Sequence, residues 1–346
     1  MLRLYELLAG RGVEVVLAAS DGPDHAPWAT QALYRTWGPR TFSFSPNLLS
    51  ILGRQRPDLV HLHGLWTYGS IASQIWRTQT GKPVVISPHG MIDRWALQHH
   101  SLRKRIAGAA FEWSNLRRAT CIHALTEGEA KSLKDLGSYN NIIQIPNGVD
   151  LPSAVEESEP AQRTLLYIGR LHAKKGIAET LVAWSLFQKK LAVGPSRWRF
   201  LIAGWDDGGH LAELHRIVDC YNLGDHVKFV GPVFGNIKQS MYASADATIL
   251  ASHSEGLPMT VLETWASGKP AFITDECNLP EGFRAGAAFK ITTDPQNIAE
   301  VLAEILPNRD RLQSAGKAAR SLAERSFSWK NIADSWLSLY TSLVHQ

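Results

Sequence analysis

The chain has 346 residues, of which 45% are apolar, and this is enough material for two compact domains rather than one. Its net charge of +4 gives no reason to expect a nucleic-acid partner, and its three cysteines (Cys121, Cys220 and Cys277) form neither a zinc motif nor a disulfide framework. No window approaches the roughly 18 apolar residues of a membrane-spanning helix, so we expect a cytoplasmic protein.

The first half of the chain alternates short β-branched runs with helical stretches. Its continuous apolar runs are typical of strands that are buried on both faces of a parallel sheet. Strands are predicted at 12–20, 57–64, 82–90, 119–125 and 141–148, with helices at 68–79 and 126–136. We therefore predict a first Rossmann-like domain over residues 1–150.

An acidic segment with two prolines, residues 151–163, has the composition of an interdomain linker. The alternation then restarts, which predicts a second doubly wound domain over residues 164–326. Its strands are predicted at 163–169, 198–204, 226–231, 246–252 and 269–274, and its helices at 176–192, 210–222, 236–244 and 258–267.

The end of the chain, residues 295–345, has a helical pattern. We predict that the last helix, 327–346, packs back toward the first domain. Four aromatic side chains with mostly helical spacing are predicted to be core anchors rather than a recognition surface: Phe327, Trp329, Trp336 and Tyr340.

The loop "YIGRLHAKKG", residues 167–176, brings three cations to the end of a predicted strand: Arg170, Lys174 and Lys175. A helix begins directly after it, so free backbone N–H groups converge with the cations on an anion such as a diphosphate. For this loop alone, a solvated basic turn is an equally good interpretation. The chain has no Walker A spacing and no GxGxxG after a strand, which disfavours ATP hydrolysis and dinucleotide binding.

The stretch "SEGLPMTVLETWASGKPAFIT", residues 254–274, places two glutamates around the start of a predicted helix. Pro258 suits the first turn of that helix and Gly268 suits its end, so Glu255 precedes the helix and Glu263 lies about two turns inside it. A carboxylate can bind two neighbouring hydroxyl groups of a sugar. For an isolated pair of this spacing, ordinary solvated glutamates would be the better interpretation.

Taken together, these motifs resemble a known family. The stretch 254–274 is similar to the signature of the retaining glycosyltransferases of family 4, which have the GT-B fold. "GRLHAKKG" resembles the diphosphate loop of that family, "IPNGVD" its domain-junction motif, and "SPHGMIDRWAL" a loop of its polysaccharide-building members. The resemblance implies an α/β protein with two Rossmann-like domains whose parallel sheets face each other across a cleft.

The resemblance also implies how a nucleotide sugar, a UDP-hexose, would be bound as the donor. Glu263 would bind the ribose hydroxyls, and Glu255 the hydroxyls of the donor sugar near the reacting carbon. Backbone amides after Gly256, at Leu257 and Met259, would contact the diphosphate.

Four further residues of the second domain receive roles from the same resemblance. Arg170 and Lys175 would neutralise the departing diphosphate, so that neither a metal nor another cofactor is needed. Val233 in "GPVF" would offer backbone groups to the base. Gly204 would allow a close backbone approach, although a simple tight turn explains it equally well.

In the first domain, His89 in "SPHG" resembles the histidine of the family that contacts the donor sugar, and a hydrogen-bonded core histidine is the alternative. In "VHLHGLW" we expect His61 and His63 to face opposite sides of their strand. We assign His63 to the acceptor side, together with Trp66 and Arg94.

The stretch 94–118 has six basic residues against one acid, Glu112, and it interleaves them with Trp95, Ile106, Phe111 and Trp113. Two interpretations are open. The stretch contacts an anionic membrane, where lipid-linked acceptors would be found, or its apolar residues pack on the sheet and leave a solvated basic face.

Members of the family begin with a strand and a glycine-rich loop, and the resemblance predicts that this chain starts after both and lacks roughly 20 residues. Either the true start of the protein lies upstream of Met1, or the remaining strands pair with one another in an altered order. We therefore expect a first domain that lacks this strand and loop.

Three functions are candidates for a chain with these motifs. The first is a metal-independent hexosyltransferase of polysaccharide biosynthesis, with a glycan or lipid-linked acceptor, at the inner face of the membrane. The second is a non-catalytic subunit that binds sugar nucleotides. A glycoside hydrolase fits poorly, because its two carboxylates must flank one bond at a defined separation.

Overall fold

The computed structural model describes residues 2–20, 32–39, 41–92, 101–137, 139, 141–153, 162–190 and 198–345, with the main chain only at 101 and 103. The chain divides into two compact units. The first contains Met1–Pro146 together with Trp329–Gln346, and the second contains Asn147–Ser328.

The strands are short, and every pairing between them is parallel. Within the described ranges they are β1 (Ala18–Ser20), β2 (Ala32–Tyr34), β3 (Val60–His63), β4 (Val84–Ser87), β5 (Cys121–Ala124), β6 (Ile142–Gln144), β7 (Arg163–Ile168), β8 (Trp198–Ala203), β9 (Val227–Gly231), β10 (Ala247–Leu250), β11 (Ala271–Ile273) and β12 (Ala288–Lys290).

The α-helices over the same ranges are α1 (Leu2–Ala9), α2 (Pro46–Gln55), α3 (Tyr68–Thr80), α4 (Ser101–Ala107), α5 (Trp113–Arg118), α6 (Glu127–Leu136), α7 (Ile177–Lys190), α8 (Leu211–Cys220), α9 (Gly235–Ser244), α10 (Met259–Ala266), α11 (Pro280–Arg284), α12 (Pro295–Ile305), α13 (Arg309–Leu322) and α14 (Trp329–Val344). Two π-helical turns, Gly108–Glu112 and Ala323–Phe327, join α4 to α5 and follow α13. In the part of the chain that is described, no helix is long and apolar enough to cross a membrane.

The first unit is built on a four-stranded sheet with the order β3-β4-β5-β6, and β1 and β2 form a separate pair. Alternate residues of β4 pack on opposite faces of the sheet. Val84 and Ile86 pack in one layer with Trp76. Val85 packs in the other layer with Trp336.

The last helix, α14, belongs to the first unit and supplies the layer around Val85 together with α1. Trp336 in this layer and Phe327 in the core of the second unit are buried, at 4% and 1% exposure, which confirms them as core anchors. Trp329 and Tyr340 are half-buried against the same layer as Trp336.

The second unit has a six-stranded sheet with the order β12-β11-β10-β7-β8-β9. The chain starts in the middle with β7, continues outward through β8 and β9, and then returns to the other side of β7 with β10. In such a sheet, ligands bind beyond the carboxyl ends of the strands where the order reverses. We therefore expect a ligand site at the loops after β7 and β10.

The prediction of an α/β protein with two parallel-sheet domains is confirmed. Two predicted strands of the first unit are wrong in extent, because β1 covers only Ala18–Ser20 of 12–20 and β6 covers only Ile142–Gln144 of 141–148. Val13 and Val15 still pack against the core beside Trp336, but no strand in the described ranges pairs with residues 13–16. Apolar burial does not make a strand unless its backbone groups also find partners.

Candidate functional site

The loop after β7 is bonded to the loop after β10 at the switch point of the second sheet. It contains a 3-10 turn, Ala173–Lys175, which is capped by His172, whose Nδ1 accepts a hydrogen bond from the Lys174 N–H (3.1 Å). The carbonyl oxygen of Lys174 in turn accepts from the Ser252 hydroxyl (2.9 Å) and the His253 N–H (2.8 Å). The two loops are thus held side by side.

Two glycines allow this close approach. Gly176 ends the turn with φ at +67°, and a Cβ there would overlap the carbonyl oxygen of Ala251. Gly204 follows β8, donates its N–H to the Gly231 carbonyl (2.8 Å), and leaves room for the carbonyl of Gly169, which a Cβ would overlap. Gly204 therefore allows two segments of the main chain to approach closely, and its part in donor binding stays a prediction.

Lys175 and Glu255 form a largely buried ion pair across these loops. Lys175 Nζ lies 2.5 Å from Glu255 Oε1, and the side chains are 12% and 8% exposed. The main chain of Glu255 is also held, because its N–H donates to the Glu276 carbonyl (3.0 Å) and its carbonyl accepts from the Asn278 side chain (2.6 Å). Losing one charge of such a pair costs roughly 3–5 kcal/mol. Two predicted site residues are thus in direct contact.

Arg170 lies on the same loop as Lys175 but has a different partner. Its Nη1 lies 2.9 Å from Asp207 Oδ2, and both side chains are partly exposed. Its carbonyl oxygen accepts a hydrogen bond from the Tyr167 hydroxyl (2.7 Å). Burial raises the pKa of Tyr167, and the charge of Glu255 raises it further, so this hydroxyl stays protonated.

Glu263 lies in the second turn of α10, and both of its carboxylate oxygens are engaged. Lys238 Nζ lies 2.7 Å from the carboxylate, and the Tyr242 hydroxyl donates to Oε2 (2.8 Å). Burial raises the pKa of Tyr242 well above its usual value, and Glu263 adds to this. Sequence reasoning missed Lys238 and Tyr242, although their spacing of four residues places them on one face of α9.

The start of α10 has no side-chain cap, since its N-cap residue is Pro258. Leu257 and Met259, on either side of it, are half-buried against the large core of the second unit. A Cβ at Gly256 would have nothing within 4 Å, so the space beside this residue is open. Uncapped N–H groups at a helix start can bind an anion.

Val233, the residue predicted to lie near the base, follows β9. Its side chain is half-buried in a cluster with Leu166, Ile168 and Tyr242. Val233 therefore packs beside one of the side chains that hold Glu263.

The expectation that His61 and His63 face opposite sides of β3 is wrong. Residues two apart on a strand point to the same face. Their ring centroids lie 4.1 Å apart. His63 Nδ1 also lies 2.8 Å from His89 Nε2, so two of the predicted site residues of the first unit are in contact.

A chain of hydrogen bonds runs beneath this pair, from Tyr340 on α14 to the main chain after β6. The Tyr340 hydroxyl lies 2.6 Å from His61 Nδ1, and His61 Nε2 lies 2.7 Å from the Ser87 hydroxyl. The Ser87 hydroxyl lies 2.7 Å from His123 Nδ1, and His123 Nε2 lies 2.6 Å from the Ile145 carbonyl oxygen.

The direction of every bond in this chain follows from its last acceptor. A carbonyl can only accept, so His123 donates through Nε2 and, being neutral, accepts from Ser87 through Nδ1. Ser87 then accepts from His61 Nε2–H, and His61 Nδ1 accepts from Tyr340. Burial keeps the rings neutral, since it lowers the pKa of His123 to about 4 and that of His61 well below its usual value.

The loop before α3 is held by a buried carboxylate that sequence reasoning did not identify. Glu112 ends the first π-helical turn, is 0% exposed, and accepts from the Trp66 N–H (2.6 Å) and the Ser70 hydroxyl (2.8 Å). Trp66, predicted for the acceptor side, has φ at +68° and packs edge-on against Trp113. Burial raises the pKa of Glu112, and its hydrogen bonds oppose this.

Arg94, the third residue assigned to the acceptor side, lies outside the described residues. Of the apolar residues in the basic stretch, Phe111 packs against Phe42 and Trp113 against Trp66. On α4, however, Leu102 and Ile106 are 68% and 62% exposed.

Two family models match the chain. The model for glycosyl transferases group 1 matches residues 153–322, and the model for a glycosyl transferase 4-like domain matches residues 1–148. A relative from Xanthomonas campestris, GDP-mannose:cellobiosyl-diphosphopolyprenol alpha-mannosyltransferase, is 27% identical over 83% of this chain and 70% of its own length.

Solved structures show the same fold. Sucrose-phosphate synthase from Thermosynechococcus elongatus superimposes with a TM-score of 0.79 at 22% identity, over 99% of this chain and 92% of that one. Anabaena HepE in complex with UDP gives a TM-score of 0.73 at 16% identity, over 91% and 86%. With both models matched in order along the sequence, the chain belongs to the family 4 glycosyltransferases and has the GT-B fold.

Proposed function

We propose that this glycosyltransferase moves a hexosyl group from a nucleotide sugar, a UDP-hexose, to a glycan or lipid-linked glycan acceptor in polysaccharide biosynthesis, with retention of the anomeric configuration. The main support is the pair of carboxylates at the switch point of the second sheet, each held by its own lysine. Glu255 is bonded to Lys175 and Glu263 to Lys238. In this proposal the reaction takes place in the cytoplasm.

In the proposed complex the two carboxylates bind different parts of one donor. Glu263 binds the ribose hydroxyls, and Tyr242 keeps its carboxylate oriented. Glu255 binds hydroxyls of the hexose, and the open space beside Gly256 admits the diphosphate to the uncapped start of α10. Because the start of α10 separates them, the two carboxylates do not act as an acid–base couple in this proposal.

In the proposed transfer step, the bond between the anomeric carbon and the diphosphate oxygen breaks, and the bond to the acceptor oxygen forms on the same face. The departing phosphate oxygen takes the proton of the acceptor hydroxyl. Negative charge develops on the diphosphate, and Lys175 and Arg170 stabilise it without a metal. We therefore expect the rate to be unchanged when EDTA is added.

The acceptor side of the proposal uses the first unit. His89 contacts the donor sugar, with His63 bonded to it, and His63 and Trp66 line the acceptor side. The Xanthomonas relative suggests an acceptor class, because that enzyme is named for a cellobiosyl-diphosphopolyprenol, which is a lipid-linked glycan.

The donor is tested by a panel of nucleotide sugars. The HepE structure contains UDP, whereas the Xanthomonas relative is named for GDP-mannose, so UDP-hexoses and GDP-mannose should be compared directly. A donor at a hundred times its Kd raises stability by about 2.7 kcal/mol, which a thermal shift detects. Stabilisation by GDP-mannose alone would replace the UDP assignment, and binding without turnover would favour a non-catalytic subunit.

Substitution of the two glutamates tests their separate roles. Glu255→Gln should abolish transfer with little change in nucleotide affinity, and Glu263→Ala should mainly weaken nucleotide binding. Glu276→Ala is a matched control, because this exposed glutamate bonds to Glu255 only through its carbonyl. Full turnover of the Glu255→Gln variant would contradict the proposal, and proton NMR of the product gives its anomeric configuration.

We also propose that α4 contacts an anionic membrane. Leu102 and Ile106 are exposed on this helix, and Lys104 and Arg105 lie between them in sequence. Each such cation near the surface contributes about 1 kcal/mol. Flotation with liposomes that contain phosphatidylserine should recover the protein, and a Leu102→Ser, Ile106→Ser variant should not float. Equal recovery with neutral liposomes would exclude the charge-dependent contact.

A further inference from the structure

The loop after β4 has an unusual backbone. His89 and Gly90 both lie in the left-handed region, with φ at +53° and +74°. A residue other than glycine is disfavoured there by roughly 1–2 kcal/mol because its Cβ crowds the following carbonyl. His89 is also exposed rather than packed in the core. Such a conformation persists only where neighbouring groups fix it.

One of those groups is a carboxylate from another element. Glu129 Oε1 accepts a hydrogen bond from the Gly90 N–H at 2.6 Å, and its Oε2 accepts from the Leu125 N–H at 2.7 Å. Glu129 is only 4% exposed. It therefore ties the loop after β4 to the loop after β5 through two backbone donors.

Its place in α6 makes a buried carboxylate tolerable. Glu129 is in the first turn, where the helix dipole favours negative charge, and its own N–H donates to the N-cap hydroxyl of Thr126 (3.2 Å). Burial raises the pKa of Glu129, while the bonds from Leu125 and Gly90 lower it. Two backbone donors require two acceptor oxygens, which an ionised carboxylate has and an amide does not.

We infer that Glu129 is a positioning residue that sets the orientation of His89 for the transfer reaction. Glu129 bonds to the N–H directly after His89, and His63 bonds to the imidazole of His89 on its other side (2.8 Å). The backbone and the ring of His89 are thus fixed from two elements. This inference rests on the proposed function only in that His89 contacts the donor sugar.

The test compares Glu129→Gln with Thr126→Ala. The glutamine has the same shape but turns an N–H₂ group toward one of the two backbone donors. Thr126→Ala weakens the start of the same helix without touching the Gly90 N–H. A misplacement of about 1 Å can cost roughly a hundredfold in rate. For Glu129→Gln we expect kcat to fall about tenfold to a hundredfold with unchanged UDP affinity, and for Thr126→Ala a lower Tm with nearly unchanged kcat.

Two readouts separate a positioning role from general destabilisation. In a His89→Ala background, Glu129→Gln should cause little further loss, because the group that it orients is gone. In ¹⁵N-histidine-labelled full-length protein, the His89 imidazole signals should shift in Glu129→Gln and stay in place in Thr126→Ala.

The NMR readout does not depend on turnover. If the wild-type protein transfers no sugar, the proposed function fails, while the shift of the His89 signals still tests the positioning role. Unchanged His89 signals in Glu129→Gln, or additive losses in the double variant, would overturn the inference.

Discussion

Tyr242 donates its hydroxyl to Glu263 from a buried position, and Lys238 bonds the same carboxylate. A carboxylate offers about four lone-pair positions, so these two partners leave room for further donors. In the proposed complex, a ribose therefore need not displace Tyr242, whose hydrogen bond orients the carboxylate. This gives Tyr242 a role that the sequence did not reveal.

Tyr242→Phe should weaken nucleotide binding about tenfold, because a hydrogen bond to a charged group contributes about 1.5–3 kcal/mol. Isothermal titration with the nucleotide identified by the donor panel measures the effect. Tyr221→Phe is the matched control, since Tyr221 lies at the C-terminal end of α8 and is 43% exposed. Equal affinities for the two variants would show that Glu263 does not depend on Tyr242.

Local sequence signals place some residues of the site, and tertiary packing places the others. The positions of Glu255 and Glu263 relative to the helix were predictable, because Pro258 and Gly268 mark its ends locally. The contact of Lys238 and Tyr242 with Glu263 was not predictable, because α9 and α10 are brought together only in the folded second unit. The wrong prediction that His61 and His63 face opposite sides of β3 could have been avoided from the sequence alone, because residues two apart on a strand lie on the same face.

At the scale of elements, the contact between the loops after β7 and β10 depends on Gly176. Gly286 is a matched control. Its φ of +70° is close to the +67° of Gly176, but a Cβ added at Gly286 would have no atom within 4 Å. The backbone cost of alanine is therefore similar at both positions. The overlap with the Ala251 carbonyl exists only at Gly176.

Gly286→Ala should lower the free energy of unfolding by roughly 1–2 kcal/mol, through its left-handed backbone alone. Gly176→Ala should lower it by roughly 1–3 kcal/mol more, because the two loops must move apart. It should also reduce kcat, since the Lys175–Glu255 contact crosses the same loops. Urea unfolding and initial rates measure both effects, and equal losses in the two variants would contradict this account.

Strands and helices were predictable where a local sequence signal marks them. They were less predictable where the pairing of backbone groups decides whether a strand forms. The strands of the second sheet followed from continuous apolar runs, and β7 to β11 lie where they were predicted. The segment before β1 has the same kind of run, yet residues 13–16 find no paired strand in the described ranges. The elements β2, α2 and β12 gave no clear signal in the sequence and were not predicted.

For the molecule as a whole, the series of hydrogen bonds from Tyr340 to the Ile145 carbonyl connects the last helix, α14, to the first sheet. It passes through two histidines that burial keeps neutral, and His63 beside them has its pKa lowered to about 3, also by burial. The unfolded chain would protonate these rings near pH 6.5. Between about pH 6.5 and pH 4 it therefore binds protons that the folded chain does not.

Stability should accordingly fall as the pH drops from about 6.5 to 4, by at most about 1.4 kcal/mol per pH unit for each such histidine. Glu112 and Glu129 act in the opposite sense, because burial raises their pKa values and the folded state then keeps protons that the unfolded state releases.

A comparison of histidine variants with the wild type cancels the contribution of Glu112 and Glu129, because all of these proteins contain both glutamates. His61→Gln should flatten the pH dependence of Tm relative to wild type, while His345→Gln, at the exposed chain end, should leave it unchanged. Parallel Tm profiles for all three proteins would mean that the buried histidines are not the source of the acid sensitivity.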